Sequence, residues 1–470
     1  MDALLSTGAL PVQSTGFNID NSLKFEADNS EYMHYTPGSQ TDYERMAFSV
    51  WLKRTELSTT QTIAEFGNGT ANTTNLRIGF DTNDKLFIYG NSIIWRESNR
   101  RFRDTSAWYH FFFLFDTTTP GGVSNNRIRV WVNGEMIDHG DFGTINNPGA
   151  GSAMGFNTTN QQSIGAQRED GPKNYFCGYM AQVYGSGGTP PVVGDFGEYD
   201  DNGIWTPIDI SGITPPDTHG FNLDFSNASS LGNDISSRNN DMTLVNIAAA
   251  DQATDTPTNN FCTLNPLFRG KQAGSPVISD GASKHNGSGG WDGIHGTMGF
   301  NKGKWYWEAK TQSGNHSDFM YGIQTADAEV NTNTSAHNLL STAVWYVGAS
   351  FWIKDSTSGR DDVASGSITH TTGSSVVYGI ALNMDDGEVT YYANGSVVSG
   401  LNGIDIDGLD GLLVMPMVSF YNVGFSMNFG GYSYHSISSA ATDANGYGTF
   451  EYAPPSGYYA LCTKNLEEYG

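Results

Sequence analysis

The clearest alternation of apolar and polar positions lies between Ser375 and Val398. An apolar run at 376–382 is followed by the turn dipeptide Asp386-Gly387. An alternating run then places Val389, Tyr391 and Ala393 two positions apart, and a second turn dipeptide, Asn394-Gly395, follows it. Asp-Gly and Asn-Gly supply the positive-φ residues that tight hairpin turns need. Side chains two positions apart share one face of a strand. The stretch therefore predicts three strands joined by two tight turns.

A second copy of this pattern lies at 107–135, where an apolar run, a Gly-rich turn and an alternating run end in Asn133-Gly134. Two copies favour two β-sandwich domains. Composition agrees, because 57 glycines, 13% aromatic residues and only 16% charged residues suit sheets better than helices. A chain of 470 residues has room for two or three domains. We predict an all-β protein with two antiparallel β-sandwich (jelly-roll) domains joined by a β-rich connector.

Charge narrows the classes of partner. The chain has 49 acidic and 24 basic side chains, a formal net charge of -25. Nucleic-acid binding and docking on anionic membranes both need clustered Lys and Arg. We therefore expect no nucleic-acid partner, and no membrane insertion either, since no apolar run reaches the length of a membrane span.

Cysteines and the N-terminus bear on cellular location. Cys177, Cys262 and Cys462 are far apart and match neither a disulfide framework nor a zinc site. The first ten residues, MDALLSTGAL, lack the basic region and long apolar core of a secretory signal. We expect synthesis in a cytoplasm without the standard export signal, and we expect residues 1–16 to be a tail or an attachment peptide.

Residues 17–184 carry a family resemblance. The phrases FSVWLKR, AWYHFFFLFD, IRVWVNGE, SIGAQ and FCGYMAQVYG occur there in order. Together they resemble the landmarks of the laminin-G-like, concanavalin A-like jelly roll. The resemblance implies a lectin-like binding domain over these residues.

Residues 185–267 have a different composition, because they are rich in Pro, Asn, Asp and Ser but still contain Trp205, Phe221 and Leu223. This content of apolar residues exceeds that of disordered segments, so we predict a connector of short strands and ordered loops. The phrases DFGE, GFNLDF and TPTNNF…NPL resemble a segment of bacteriophage virion proteins. That resemblance implies a location on the virion.

Residues 268–470 resemble the SPRY domain. GKWYWE, YGIALNMDDGEVTYYANG, PMVSFYN, MNFGG and PPSGYYAL follow one another in this region. SPRY domains are bent β-sandwiches that bind ligands through loops and do not catalyse reactions. The resemblance therefore implies a second binding module.

These inferences predict a non-enzymatic adhesion protein of a phage virion, a fibre or tail-tip component that binds a host surface glycan or protein during adsorption. Its partners would be other virion subunits, that host ligand and further copies of itself in a homo-oligomer. One alternative is a capsid decoration or head fibre protein whose sandwiches mainly pack against other subunits. The other is a polysaccharide depolymerase, which would need two close carboxylates.

The densest run of carboxylates is GIDIDGLDG at 403–411, which contains Asp405, Asp407 and Asp410. A solvated acidic loop is the simplest interpretation. Oxygen ligands separated by glycines also suit Ca²⁺, so these three residues are the candidate calcium ligands. A catalytic role is the weakest hypothesis, because the Glu-x-Asp-x-x-Glu strand of concanavalin-like glucanases is missing. We expect no cofactor other than this calcium ion.

Candidate ligand-binding residues are aromatic and basic. Most aromatic residues of a sandwich are in its core, with Trp95, Trp352 and Tyr421 as the favoured exceptions. Trp95 and Trp352 each lead into a polar stretch that contains arginine. Further candidates are Trp291, Trp345 and Tyr346. Arg96 and Arg100, with Arg101 and Arg103, form the one basic cluster, for which an anionic ligand and internal pairing with Glu97 and Asp104 are equal alternatives.

Overall fold

The fold is described from a computed structural model. The described residues are 16–67, 75–120, 125–156, 158–169, 171–269, 278–287, 290–314, 316–328, 336, 341–347, 351–354, 361–364, 373–406, 408–409 and 411–470. The chain divides into two compact units. Among the described residues, the N-terminal unit contains those of 16–104 and 108–258, and the C-terminal unit contains those of 105–107 and 259–470.

The N-terminal unit is built from two large antiparallel sheets. Its strands are β1 (Ser22–Phe25), β2 (Tyr32–Tyr35), β3 (Arg45–Arg54), β4 (Gln61–Phe66), β5 (Leu76–Phe80), β6 (Lys85–Gly90), β7 (Ile93–Arg101), β8 (Tyr109–Asp116), β9 (Ile128–Val132), β10 (Glu135–Met136), β11 (Phe142–Ile145), β12 (Gln162–Ile164), β13 (Gly178–Gly187), β14 (Gly197–Tyr199), β15 (Trp205–Pro207), β16 (Phe221–Leu223), β17 (Thr243–Val245) and β18 (Gln252–Ala253). One sheet has the order β10-β9-β8-β3-β13-β1-β18, with β16 also paired to β13. The other has the order β11-β7-β6-β5-β4-β12-β2-β17, and β14 pairs with β15 alone. Short 3-10 helices span His139–Asp141, Val193–Asp195 and Ala249–Asp251.

Alternation along the strands explains the core of this unit. In β9, Ile128, Val130 and Val132 are buried, whereas Arg129 and Trp131 between them are only half-buried. The buried side chains of β9 belong to one apolar cluster that both sheets share. This is the packing that the period of two predicts.

Residues 185–258, which the sequence places in the connector, add strands to both sheets of the N-terminal unit. β16 pairs with β13, β17 pairs with β2, and β18 pairs with β1. Earlier in this segment, Phe196 and Ile210 pack against Phe112 and Tyr184 in a separate apolar cluster. This segment therefore covers a sheet face of the N-terminal unit. The domain boundaries drawn from the sequence stay predictions.

The C-terminal unit is a second sandwich. Its strands are β19 (Leu264–Arg269), β20 (Ile278–Ser279), β21 (Lys284–His285), β22 (Trp291–Gly296), β23 (Lys304–Gly314), β24 (Phe319–Thr325), β25 (Thr342–Tyr346), β26 (Phe351–Lys354), β27 (Asp361–Ala364), β28 (Val377–Asn383), β29 (Glu388–Ala393), β30 (Ser396–Val397), β31 (Ile404–Asp405), β32 (Val414–Tyr421), β33 (Val423–Asn428) and β34 (Tyr459–Ala460). One sheet has the order β19-β22-β32-β24-β25-β26-β27. The other has the order β20-β21-β33-β23-β28-β29-β30, with β31 paired to β29 and β34 paired to β23. A helix, α1, spans Thr463–Tyr469.

The hairpin that dominates the sequence pattern lies in this second unit, as β28, β29 and β30. Asn394 and Gly395 have φ values of 47° and 74°, the left-handed conformation of a tight two-residue turn. Val389 and Tyr391 are buried in the core, as alternation requires. The all-β, two-sandwich prediction is confirmed. Among the described residues, no helix is long and apolar enough to cross a membrane.

Candidate functional site

Three aromatic side chains lie together on one face of the sheet that contains β22, β24, β25 and β32. The ring centroid of Trp291 is 6.1 Å from that of Tyr346 and 5.8 Å from that of Tyr421. Tyr421 is 38% exposed, and the other two rings are half-buried. We call these three residues the aromatic patch. Large rings that keep part of their surface in water are candidates for ligand contact.

Strand register brings the three rings together. Trp291 at the start of β22 is the direct partner of Tyr421 at the end of β32. Tyr346 at the end of β25 is the partner of Met320 in β24, the strand between β25 and β32. Within β32, Val418 and Phe420 point into the core, so Tyr421 points to the opposite face.

Asp318 holds the patch in place from the turn before β24. The Tyr346 hydroxyl donates a hydrogen bond of 2.9 Å to Asp318 Oδ1. The Tyr421 N–H donates one of 3.0 Å to the Asp318 carbonyl oxygen. Burial, the hydrogen bond and the charge of Asp318 raise the pKa of Tyr346 to about 12, so the phenol stays neutral at physiological pH. The patch thus offers ring faces beside a carboxylate that can accept further hydrogen bonds.

A buried apolar cluster lies beside the patch on the same face of the sheet. Trp352, Met320, Met417 and Val344 pack into one small apolar cluster that the Trp291 and Tyr346 rings also join. Trp352 is only 6% exposed, so its expected role as an exposed ring is wrong. Because β26 continues through Trp352, the ring is buried on the sheet instead of projecting from a loop. Trp352 therefore lies in the buried cluster that Trp291 and Tyr346 of the patch also contact.

Trp95 and Arg96 are not surface residues either, which corrects their assignment as ligand contacts. β7 runs from Ile93 to Arg101, and this strand replaces the polar loop that the sequence suggested. Trp95 is 1% exposed and lies in the core of the N-terminal unit. Arg96 is fully buried and donates hydrogen bonds to the carbonyl oxygens of Trp95 and Asn146, at 2.8 and 2.6 Å. Burial lowers the pKa of Arg96 to about 10.

The rest of the basic cluster is at the surface. Arg100 is exposed, and its guanidinium lies 4.9 Å from the centroid of the Phe102 ring. Arg103 pairs with Asp84 at 3.3 Å. Of the two alternatives for the basic cluster, internal ion pairing is the one observed for Arg103, and its partner is Asp84. Arg100 belongs to the N-terminal unit and Tyr421 to the C-terminal unit, so the predicted residues are divided between the two.

The acidic candidates are only partly described. Asp405 is exposed in β31, and Asp407 and Asp410 lie outside the described residues. Within the described ranges, no group of three or more His, Cys, Asp or Glu side chains could hold a metal ion. Calcium binding at 405–410 stays a prediction. A second, shorter acidic stretch at 81–84 is a hairpin turn that joins β5 to β6, and Asp81 Oδ1 accepts the Asn83 and Lys85 N–H groups at 2.9 and 2.8 Å.

Comparison with known proteins adds the family context. A family model described as the concanavalin A-like lectin/glucanases superfamily matches residues 28–185. This match confirms the resemblance drawn for residues 17–184. No curated protein matches the chain.

Solved structures of similar fold include three named examples. The SPRY domain of human HERC1 is 15% identical, with a TM-score of 0.27 over 35% of this chain and 96% of its own. A candidate carbohydrate-binding protein from Bacteroides ovatus is 16% identical, with a TM-score of 0.32 over 48% of this chain and 58% of its own. A heptameric SAP-like pentraxin from Limulus polyphemus is 11% identical, with a TM-score of 0.25 over 36% of this chain and 77% of its own. Residues 28–185 thus form a domain similar to concanavalin A-like lectins and glucanases, in a chain whose structural neighbours include SPRY domains.

Proposed function

We propose that the protein binds carbohydrate without cleaving it, and that the aromatic patch is one of its contact surfaces. The observation that carries this proposal is the contact of the partly exposed Trp291 ring with the rings of both Tyr346 and Tyr421. The match of residues 28–185, which lie in the other unit, to lectins and glucanases supports carbohydrate as a ligand class for the protein as a whole.

The chemistry of the patch suits a sugar. One face of a pyranose ring presents C–H groups, which pack well on aromatic rings because both surfaces are apolar. The hydroxyl groups at the sugar's edge can donate to Asp318, which already accepts the Tyr346 hydroxyl. The rings are at strand ends, and Trp291 and Tyr346 pack against a buried cluster, so binding costs little conformational entropy.

The burial of the two carboxyl groups whose pKa is raised to about 7 favours binding without cleavage. A general acid needs a raised pKa and access to the substrate. Burial raises the pKa of Glu31 and Glu308 to about 7, yet both are at most 1% exposed and hydrogen-bonded within the fold. Neither is a residue of the aromatic patch.

We further propose that this binding serves adhesion of a phage virion to a host surface, in a homo-oligomer with other virion subunits. The phrases DFGE, GFNLDF and TPTNNF…NPL, which resemble virion protein segments, support this placement. Many copies on one particle would convert weak single sites into strong attachment. Mass spectrometry of purified particles tests the placement, and absence of the protein from them would exclude it. Repeating glycan binding with a chelator tests calcium.

Truncating the patch is expected to weaken glycan binding. Trp291→Ala and Tyr421→Ala each remove a ring, and loss of such an anchor costs about 1.5–2 kcal/mol, roughly a 10- to 30-fold rise in Kd. Tyr434→Ala is the matched control, because Tyr434 is also 38% exposed in the same unit but lies beside Lys284. Binding is measured on a glycan array and on whole cells, and the Kd of each positive glycan is then determined by calorimetry.

The same samples are checked for released oligosaccharide. Equal losses in all three variants would mean that aromatic residues at the surface of this unit matter in general and that the patch has no special role. Released product would contradict the non-enzymatic part of the proposal. Binding that survives in both patch variants would exclude the patch while leaving a glycan site elsewhere.

A further inference from the structure

Three ionisable side chains meet in the interior of the N-terminal unit, namely Lys24, Glu31 and Asp251. Lys24 Nζ lies 2.9 Å from Glu31 Oε1 and 2.8 Å from Asp251 Oδ1. The side chains of Lys24, Glu31 and Asp251 are 1%, 2% and 10% exposed. We call these residues the Lys24 cluster. One amine thus contacts two carboxyl groups in a place that excludes most water.

Strand register and a short turn assemble the Lys24 cluster. β18 pairs antiparallel with β1, with Leu23 opposite Gln252. One more step in this register sets Lys24 opposite Asp251, the last residue of the 3-10 helix that precedes β18. Glu31 is brought back to Lys24 by the turn between β1 and β2. The contacts of the cluster are therefore set by the backbone.

Glu31 is set up as a proton donor. One amine between two carboxyl groups favours protonation of one of them. Burial raises the pKa of Glu31 to about 7, and the charge of Asp251 adds to the rise, although Lys24 opposes it. Glu31 Oε1 accepts N–H groups of Lys24 and Asn29, each at 2.9 Å. Oε2 is shielded from solvent and has no hydrogen-bond partner among the described residues, so it is the oxygen that can carry the proton.

The two oxygens of the Asp251 carboxyl group have different partners. Oδ1 contacts Lys24 Nζ, whereas Oδ2 accepts the Ala248 N–H at 2.8 Å. Because a C–O bond of this kind is about 1.2 Å long, Lys24 Nζ lies within about 4 Å of Asp251 Cγ. Reacting atoms in a near-attack conformation are about 3–3.5 Å apart. The amine is thus almost at attack distance from a carboxyl carbon whose other oxygen is held by an N–H.

We propose that Lys24 and Asp251 condense to an isopeptide bond, with Glu31 as the group that transfers protons. Lys24 first passes a proton to the Asp251 carboxylate, which gives a neutral amine beside a carboxylic acid. Nζ then bonds to Cγ and the Cγ–Oδ1 bond breaks, while Glu31 takes one proton from Nζ and delivers its own to Oδ1. The products are one amide and one water, and Glu31 ends protonated as it began. Oδ2 becomes the amide oxygen, and the Ala248 N–H stabilises the negative charge that builds on it.

A buried ion pair is the competing state of the Lys24 cluster. The cost of taking two charges out of water can exceed their attraction. Condensation replaces a buried cation and a buried anion by a neutral amide, and it releases a water molecule. The amide would join β1 covalently to the 3-10 helix at 249–251. This link concerns stability and is independent of the proposed carbohydrate binding.

Mass spectrometry of the denatured full chain tests the proposal. We expect the wild-type mass to be lower than that of its sequence by one water molecule. Tandem mass spectrometry of a digest should identify a branched peptide that joins Lys24 to Asp251. The Lys53–Asp255 pair is the internal control, because there the second carboxylate oxygen accepts the Trp108 indole N–H, which keeps its proton at neutral pH. Peptides that contain Lys53 and Asp255 should therefore be unlinked.

Two variants separate the bond from the proton transfer. Lys24→Arg keeps the charge, but a guanidinium stays protonated and cannot attack, so the full sequence mass is expected. Glu31→Gln keeps the volume and an acceptor oxygen but removes the acidic proton. We expect its linked fraction to fall at least about 10-fold, since a positioned acid–base group contributes about 10²–10⁴-fold in rate. Glu65→Gln is the matched control, because Glu65 is another buried carboxyl group of this unit with a raised pKa, and its linkage should match wild type.

The wild-type measurement decides the proposal even if a variant does not fold. A full sequence mass, or the absence of the branched peptide, overturns it. A loss of water that persists in Lys24→Arg also overturns it, since the water would then come from a succinimide at an Asp-Gly step such as Asp386-Gly387. Equal linked fractions in wild type and Glu31→Gln would overturn the role of Glu31.

Discussion

Asp255→Ala is expected to destabilise the N-terminal unit by about 3–5 kcal/mol, the range for breaking a buried ion pair. Asp255 Oδ2 lies 2.7 Å from Lys53 Nζ, and both side chains are at most 1% exposed. Asp255 Oδ1 also accepts the Trp108 indole N–H at 3.0 Å. Alanine removes the counter-charge and the acceptor together, and it leaves the Lys53 ammonium in a site without access to water. Calorimetry should show a Tm lower by roughly 10 °C.

Arg45→Ala is the matched control for that experiment. Arg45 pairs with Asp42 at the same N–O distance, 2.7 Å, but the two side chains are 38% and 21% exposed. An exposed pair contributes less than about 1 kcal/mol, because water and salt screen it. A Tm loss in Asp255→Ala no larger than that in Arg45→Ala would show that the Lys53–Asp255 pair adds nothing through burial.

The acidic partner in this ion pair, Asp255, directly precedes the phrase TPTNNF, which was recognised only by resemblance. Asp255, Thr256 and Thr258 are each at most 3% exposed. Besides the contact with Lys53, the Asp255 carbonyl accepts the Ser22 hydroxyl at 2.6 Å, and Thr258 Oγ1 accepts the Ile19 N–H at 3.0 Å. Asp255 therefore joins the connector to β1 and β3, and Thr258 joins it to the residues just before β1. Local pattern could not predict this, because the partners are more than 200 positions away.

Strands and turns, in contrast, were predictable. Alternation and Asn-Gly dipeptides depend on neighbours within a few residues, and β9, β28 and β29 appear where those signals are. Trp95 shows where the local pattern gives the wrong prediction. The polar residues after it suggested a loop, but they continue β7, and the Ser98 side chain bonds the backbone groups that the bulge at 98–100 leaves unpaired. The Ser98 hydroxyl accepts the Leu86 N–H at 3.0 Å and donates to the Arg100 carbonyl at 2.6 Å.

The candidate site likewise combines residues that the local sequence could suggest with contacts that it could not predict. Tyr421 was selected from the sequence, and Trp291 and Tyr346 were named only among several aromatic candidates. Their contact depends on the register of β22, β32 and β24, and no local signal in the sequence encodes that register. Asp318 had no signal beyond its position before an apolar strand. Carbohydrate chemistry at this place could therefore be inferred only after the strands were paired.

Glu308→Ala is expected to destabilise the C-terminal unit by about 4 kcal/mol at pH 5. Glu308 is fully buried, and its carboxyl group accepts the Glu451 and Tyr452 N–H groups, each at 2.9 Å. The Tyr306 hydroxyl and the Asn428 amide donate to it as well, at 3.1 and 3.2 Å. Alanine leaves these donors without an acceptor and opens a cavity. Glu308→Gln keeps the volume but turns one acceptor into a donor, so its loss should be intermediate.

The cost of Glu308→Ala should also depend on pH. Burial raises the pKa of Glu308 from 4.5 to about 7, so the folded protein holds a proton that the unfolded chain releases. A raised carboxyl pKa contributes stability that is fully present below pH 4.5 and is lost as pH rises through 7. The free-energy difference between wild type and Glu308→Ala should therefore shrink by about 3 kcal/mol between pH 4 and pH 8. Denaturant unfolding at the two pH values measures it, and an equal difference at both would mean that Glu308 is ionised throughout and that its four donors outweigh the cost of burial.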